Sequence, residues 1–523
     1  MVSRFRLVLG TMILGLIGVH ASAQTLTIGL GSEPSSLDPH FHNLGPNNAI
    51  ARHVFGALVD QDDKQRLVPG LAVSWTAVDD LTWEFKLRPN VQFHDGSRFT
   101  AEDVVFTIKR APDVPRSPSS FASYTKAIKE VRVVDPLTVR MTTTTPYPLL
   151  PNDLSTVNII SKKNGENATT EDYNSGKAAI GAGAFKVVER VPGDRIVLAR
   201  HDGYWGPKAA WEKVVFKPIK SGPSRVNALL AGDVDLIEDT PTVDIEKLKK
   251  DQRIALSQGI SNRVIYLHLD SDRATTPFAT DKQGKPLDKN PLKDVRVRRA
   301  LSIAINRPLI VERIMEGVAI PAGQLLPEGF FGVSPNIKVP AHDVEGARKL
   351  LAEAGYPNGF GLTLHTPNDR YINDEKVAQA VAQMLSRAGI DTKVEAMTGS
   401  VFFTRATKLE FSFLLVGWGS GTGESSSPLK ALVGTFDTAK GWGGANRGRF
   451  SSAQVDRLLD QALATVDNAK REKLLQESTE AAMSEVGVIP LHFQVNTWAM
   501  KKGLRYQART DESTLAMGVS RGD

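Results

Sequence analysis

The chain has 523 residues, 64 Lys and Arg against 58 Asp and Glu, a net charge of +6 and no cysteine. That length exceeds what one hydrophobic core normally supports, so at least two domains are expected. The absence of cysteine excludes disulfides and any lipid anchor attached through cysteine. The small charge excess, interspersed rather than blocked, argues against a nucleic-acid partner.

The first 23 residues read as an export signal. Arg4 and Arg6 form a positive start, Leu7 to Val19 an apolar stretch, and Ala21-Ser22-Ala23 a cleavage site. The apolar run is too short and glycine-interrupted for a membrane anchor, and no comparable run follows. A protein freely diffusing in the periplasm, with no lipid anchor, is the expectation.

Leu26, Ile28 and Leu30 alternate as a first strand, followed by a turn-rich loop from Glu33 to Pro39. Trp83, Phe85 and Leu87 alternate with Glu84, Lys86 and Arg88, and Val91 and Phe93 predict a second short strand after Pro89-Asn90. Asp95-Gly96 then turns the chain into a helix capped by Thr100, with Asp103 as its capping-box partner. Asn164 to Gly181 is polar and predicts a surface excursion. Phe185 to Arg200 predicts two strands around Pro192-Gly193-Asp194, and Pro223 to Ala231 a short helix.

Near residue 270 the pattern changes. After a polar loop from Asp270 to Pro291, helices are expected from Asp294, from Asp343 to a stop at Gly355, and over Asp374 to Ala388, Ser452 to Val466 and Ala469 to Met483. Short strands at Leu362 to His365, Thr392 to Glu395 and Phe411 to Val416 lie between them. Alternating strands and helices predict an α/β lobe.

Several phrases together resemble one family. They are Glu33-Pro34-x-x-Leu37-Asp38-Pro39, Leu71-Ala72-x-Ser74-Trp75, the "V-x-F-H-D-G" at 91–96 with "T-A-E-D-V" at 100–104, Tyr204-Trp205, Val295-Arg296-x-Arg298-x-Ala300, Ala347 to Pro357, and Ile489-Pro490-Leu491. Gly183-Ala184-Phe185 stands where a proline is usual before the phenylalanine. In this order, from 33 to 491, they resemble the family 5 solute-binding proteins, receptors of bacterial ABC importers for peptides, nickel complexes and opines.

The resemblance implies an α/β, two-lobed type II periplasmic-binding fold with an extra small domain inserted in lobe one. It suggests lobe one at 24–52, 184–266 and 497–523, the insert at 53–183 and lobe two at 267–496, with Val264 to Leu269 and Val495 to Trp498 crossing between lobes. It implies a monomeric, non-enzymatic receptor without cofactor. Its partners would be a short peptide or peptide-like carboxylate solute and an inner-membrane ABC permease complex.

Enzyme signals are weak. His94-Asp95 reads as turn chemistry, and Ser427-x-x-Lys430 lacks the companion motifs of the enzymes that use that spacing. His40 and His42 lack the further ligands a metal needs. A periplasmic hydrolase, a chaperone-like binder, and the same fold with an opine, sugar conjugate or metal chelate are the rival readings.

Ligand contacts are expected in two loops, each after the carboxyl end of a strand. His365 to Asn373 carries Arg370 and Tyr371, and the resemblance gives Arg370 the ligand carboxylate. Gly417 to Leu429 carries Trp418, Gly419, Gly421 and Glu424. Peptide-binding relatives place an amine-holding aspartate where this chain has Gly421, so Glu424 is the alternative anchor, against a solvent-facing loop acid. Trp418 and Trp442 lie in a glycine-rich run and either line the cleft or pack in the core.

Overall fold

The computed structural model describes residues 24–522; the export-signal reading falls outside the described residues. The backbone is dominated by a 12-stranded mixed sheet. Its first half runs Phe185–Val191, Arg195–Arg200, Lys213–Pro218, Thr25–Leu30 and Leu236–Ile237. Two long strands, Ile489–Lys501 and Ile254–Leu269, come next. Phe413–Gly419, Phe360–Pro367 and Ala279–Thr280 finish the path, with Ile390–Met397 beside Phe360–Pro367 and Ala319–Pro321 beside Ile489–Lys501.

The long strands pair antiparallel from Ile254 opposite Lys501 to Leu267 opposite Ile489, with the register broken between Ile260 and Val264. On one side of the break the sheet packs Ile28, Leu198, Phe216 and Trp498 into one core. On the other it is covered on both faces. Leu267, Leu364 and Leu415 meet the helices Val295–Ile303 and Asp374–Arg387, while Val264, Leu414 and Val416 meet Ala453–Leu463 and Asn468–Ser484. Two-sided burial explains why these strands are nearly continuously apolar.

A separate four-stranded antiparallel sheet orders Ala72–Ala77, Thr82–Leu87, Thr138–Thr143 and Ile128–Asp135. Its inner residues, among them Phe85, Val139 and Met141, build a third core with Val104 and Ile108 of helix Ala101–Arg110. Trp83, Phe85 and Leu87 are buried in alternation, and Thr100 with Asp103 closes the capping box expected from the sequence.

Three expectations are corrected. Val91 to Phe93 forms a single bridge, Gln92 to Arg98, because Asp95 bonds the backbone and hydroxyl of Ser97 and leaves a turn too tight for a ladder. The polar stretch 164–181 is not a surface excursion throughout. It contains helix Thr170–Asn174, buries Tyr173 beneath Arg110, and uses the Asn174 side chain to accept from Leu37 N and Ser36 Oγ. The strands joining the lobes are also far longer than the short apolar runs predicted, since pairing across the sheet overrides the polar composition of Ser257 to Gly259.

Several histidines are buried in these cores. The His53 Nδ1 donates to Ala49 O at 2.8 Å and its Nε2 accepts from Ala516 N at 2.9 Å, which fixes a neutral ring. Burial lowers His53 from an ordinary 6.5 to about 4, and burial likewise lowers His492 to about 4. The unfolded chain therefore takes up these protons first. Their contribution to stability is complete above about pH 6.5 and is lost as pH falls towards 4. Thermal denaturation followed by circular dichroism should give a midpoint that falls steadily over this range. His53→Gln should flatten the slope by up to about one proton.

Candidate functional site

Strand Phe413–Gly419 lies antiparallel to Ile254–Leu269, with Trp418 opposite Val264 and Gly419 opposite Arg263. Its carboxyl end delivers the loop beginning at Ser420. Strand Phe360–Pro367 delivers the loop with Arg370 and Tyr371. The two loops are tied together: the buried Tyr371 donates its hydroxyl to Gly417 O at 3.1 Å. A Cβ at Gly417 would come within 2.8 Å of the Tyr371 ring, so glycine is what lets the ring seat. Arg370 is exposed, 5.2 Å from that ring, and its charge is felt across the cleft by Asp239 and Glu512.

A cavity of about 540 Å³ lies between the lobes. Tyr124, Tyr147, Asp153 and Asn158 line it from one side, Trp418, Gly419, Gly421 and Lys430 from the other, and Asn262, Arg263 and Glu512 near the register break. Its size suits a small solute. Arg263 pairs with Glu512 at 2.6 Å and Arg52 with Asp511 at 2.8 Å, so most of the charge is neutralised in place. Other groups are not satisfied. Trp418 Nε1, Thr422 Oγ1 and Asn158 Oδ1 are buried polar atoms without a partner, and all three residues line this cavity. Buried polar groups are rarely left so unless something else meets them.

The walls touch at several points. Asn262 Nδ2 donates to Gln65 Oε1 at 2.7 Å and to Ser420 O at 2.9 Å. Gln65 Nε2 donates to Ser420 O at 3.2 Å, and Asn152 Nδ2 to Thr422 O at 3.0 Å. Asn373 Nδ2 donates to Thr242 Oγ1 at 3.1 Å at the opposite end. These bonds bridge the cleft and hold the 420–424 loop by its carbonyls.

The remaining residues singled out from the sequence divide. Gly421 is exposed on the cavity wall, and a Cβ there would meet nothing within 4 Å. Glu424 is buried: its Oε2 accepts from Arg471 at 2.6 Å, and Ser426 Oγ donates to its Oε1. It faces a different cavity, of about 770 Å³, between the inserted sheet and lobe two, where Arg471 also lies 4.4 Å over the Phe331 ring. That larger cavity lies away from the two strand-end loops, apart from Gly423 and Glu424. Trp442 is buried with Leu429, Leu432 and Val433 and covered by Lys440 at 4.7 Å, and it does not line the interlobe cavity. Ser427 and Lys430 both line the interlobe cavity, but no hydrogen bond joins them.

His40 is buried, with Nε2 to Asn158 O at 2.8 Å and Nδ1 to Arg110 at 3.0 Å. Among the described residues no group of three or more acids and histidines is placed to hold a metal. Sequence reasoning missed Tyr147, Asp153, Asn158, Arg263, Glu512 and the role of Lys430 as wall residues. They come from segments far apart in the chain, and no local period marks them.

Two α/β lobes sharing a sheet, with a solute-sized cavity between them, define a binding protein of the type II periplasmic class. The chain belongs to the bacterial extracellular solute-binding proteins of family 5, whose middle-region model matches residues 66–440. The glutathione-binding protein GsiB of Escherichia coli K12 is 29% identical over 501 residues, covering 92% of this chain and 91% of GsiB. The ABC transporter-associated periplasmic binding protein DppA of Helicobacter pylori, solved with the peptide STSA, aligns over 95% of this chain and 98% of its own at a TM-score of 0.76 and 25% identity. The binding protein AgaA from A. tumefaciens R10, solved with agropinic acid, aligns over 95% and 99% at a TM-score of 0.74 and 26% identity. Among the described residues no helix is long and apolar enough to cross a membrane.

Removing the Glu424 carboxylate leaves the Arg471 guanidinium buried and uncompensated. Glu424→Ala should cost about 3 kcal/mol in denaturant unfolding, whereas Gly421→Asp should change stability by less than about 0.5 kcal/mol.

Proposed function

We propose that the protein is the periplasmic receptor of an ABC importer. It takes a short peptide or peptide-like carboxylate solute into the interlobe cleft and hands it to the membrane permease, without catalysis. The observation that carries this reading is the interlobe cavity of about 540 Å³, lined by Trp418, Thr422 and Asn158, each of which keeps a buried polar atom unpartnered. Turned towards the cavity, such groups would meet a polar solute.

The register break between Ile260 and Val264 is the hinge in this reading. The segments 24–52, 184–266 and 497–523 form lobe one, 53–183 the insert and 267–496 lobe two. Ligand touching both walls shifts the population to the closed form held by Asn262, Gln65 and Asn152. The first 23 residues direct export.

Within the cleft, Trp418 packs on the solute and donates its indole N–H, while Gly419 and Gly421 allow close approach. Arg370, exposed in its loop and outside the cavity lining, is the carboxylate anchor, with Tyr371 setting that loop. Its planar fork suits a carboxylate, and no ion pair among the described residues occupies it. Glu424 and Trp442 act as packing and pairing residues of lobe two in this reading. The peptide and opine complexes of the related proteins and the glutathione-binding name of GsiB support a small carboxylate solute.

Calorimetry with short peptides, glutathione and their amidated counterparts tests this. Arg370→Ala should weaken a carboxylate ligand roughly 10- to 100-fold and leave the thermal midpoint of the empty protein unchanged, because the side chain is exposed. Undiminished affinity would remove Arg370 from the site.

A further inference from the structure

The place of the amine-binding acid is empty in this chain, because Gly421 has no side chain and Glu424 is spent on Arg471. Another acid reaches the cavity from the opposite wall. Asp153 belongs to the short helix Leu150–Leu154 of the inserted region, is buried, and lines the interlobe cavity. The Tyr147 hydroxyl donates to its Oδ2 at 2.6 Å. Its Oδ1 takes no hydrogen bond among the described residues.

Facing it from lobe two is Lys430. This residue sits in the wide π-helical turn Leu429–Val433, closed by Gly434 N donating to Leu429 O at 2.8 Å. Such turns inside helices recur at functional sites. The Lys430 ammonium makes no hydrogen bond or ion pair among the described residues, although Asp153 and Lys430 each feel the other's charge. An acid and a base therefore stand on opposing walls of one cavity, close enough to interact and not directly paired. Trp418, Thr422 and Asn158, whose side chains hold the unpartnered atoms, line the same cavity.

We propose that Asp153 and Lys430 together read an α-amino-acid head group, Asp153 taking the ammonium and Lys430 the carboxylate on the same carbon. This rests on the receptor reading and narrows its solute class. The class includes γ-linked glutamyl peptides, whose first residue keeps both charges free. A solute whose only free charges are far apart can satisfy one anchor and leaves the other buried and unpaired, which is costly. Arg370, exposed and outside the cavity lining, is left for a second carboxylate.

A pH dependence follows. Burial pushes Asp153 up to about 7, the Glu424 charge adds to the rise, and the Tyr147 bond with the Lys430 and Lys126 charges oppose it. An ammonium seated on Asp153 favours its ionised form. Binding therefore releases a proton below about pH 7, and affinity falls as the solution is acidified.

Calorimetry on the protein without its export signal tests the assignment, with glutathione, N-acetylglutathione and glutathione amidated at the glutamyl α-carboxylate as probes. Acetylation and amidation should each weaken binding roughly 10- to 100-fold. Asp153→Asn should abolish the penalty of acetylation and the pH dependence, and Lys430→Met the penalty of amidation. Because the ligand is modified in one arm and the protein in the other, a variant that fails to fold does not decide the outcome. Equal affinity of the unaltered protein for glutathione and both derivatives would overturn the head-group assignment while leaving a solute receptor. Failure of glutathione and of plain α-linked peptides to bind at all would overturn both.

Discussion

The antiparallel pairing of Ile254–Leu269 with Ile489–Lys501 is the constraint on which the rest of the molecule depends. It carries the chain through both lobes within one sheet, so neither lobe is free of the other. The pairing fails at Ser261 to Arg263, and those residues turn their side chains to other work. Ser261 Oγ and the Arg263 guanidinium both donate to Glu512, and Asn262 reaches Gln65 and Ser420 O. The break in the ladder thus becomes part of the cleft wall. A hinge placed there moves the walls of the cavity directly, with no relay needed through either core.

The same constraint explains how distant segments meet. Strand Phe413–Gly419 pairs with the strand that crosses, so its last residues arrive beside Arg263 at the cleft. Strand Phe360–Pro367 follows in the sheet and brings Tyr371 against Gly417. The inserted region closes the other side through Gln61 and Gln65, at the hairpin of strands Val59–Gln61 and Leu67–Pro69, which hold the carbonyls of Ser420 and Gly421. Holding a loop by its backbone leaves its side chains free to vary with the solute.

Much of this was legible in the sequence. The capped helix at Ala101–Arg110, the glycine stop at Gly355 and the two loops at strand ends follow from local rules of period, capping and topology. Trp418, Gly419 and Gly421 were reachable because one strand points at the cleft. The length of the crossing strands was not, since Ser257 to Gly259 is polar and is held by long-range pairing. Asp153 lies in a proline-rich stretch, Pro146 to Leu154, with no period to read, and its place on the wall depends on a domain folding against another lobe. Glu424 looked like a free loop acid because Arg471, its partner, lies on a helix 47 residues away. Lys430 was noticed for the wrong reason: its spacing from Ser427 suggests an enzyme motif, whereas the two residues share a cavity wall without a hydrogen bond between them.

The departure at Gly421 gives the cleft its character. With no side chain at Gly421 and Glu424 paired with Arg471, an amine-bearing solute would have to meet its charge elsewhere on the wall, and buried acids already committed to arginines cannot supply it. The central claim is that solute is held between the lobes at the register break. A crystal structure of the protein saturated with a bound solute tests it most directly. The account predicts ligand density in the 540 Å³ cavity, against Trp418 and between Asp153 and Lys430. Density confined to the larger cavity beside Glu424 and Arg471, with the interlobe cavity holding only water, would contradict it.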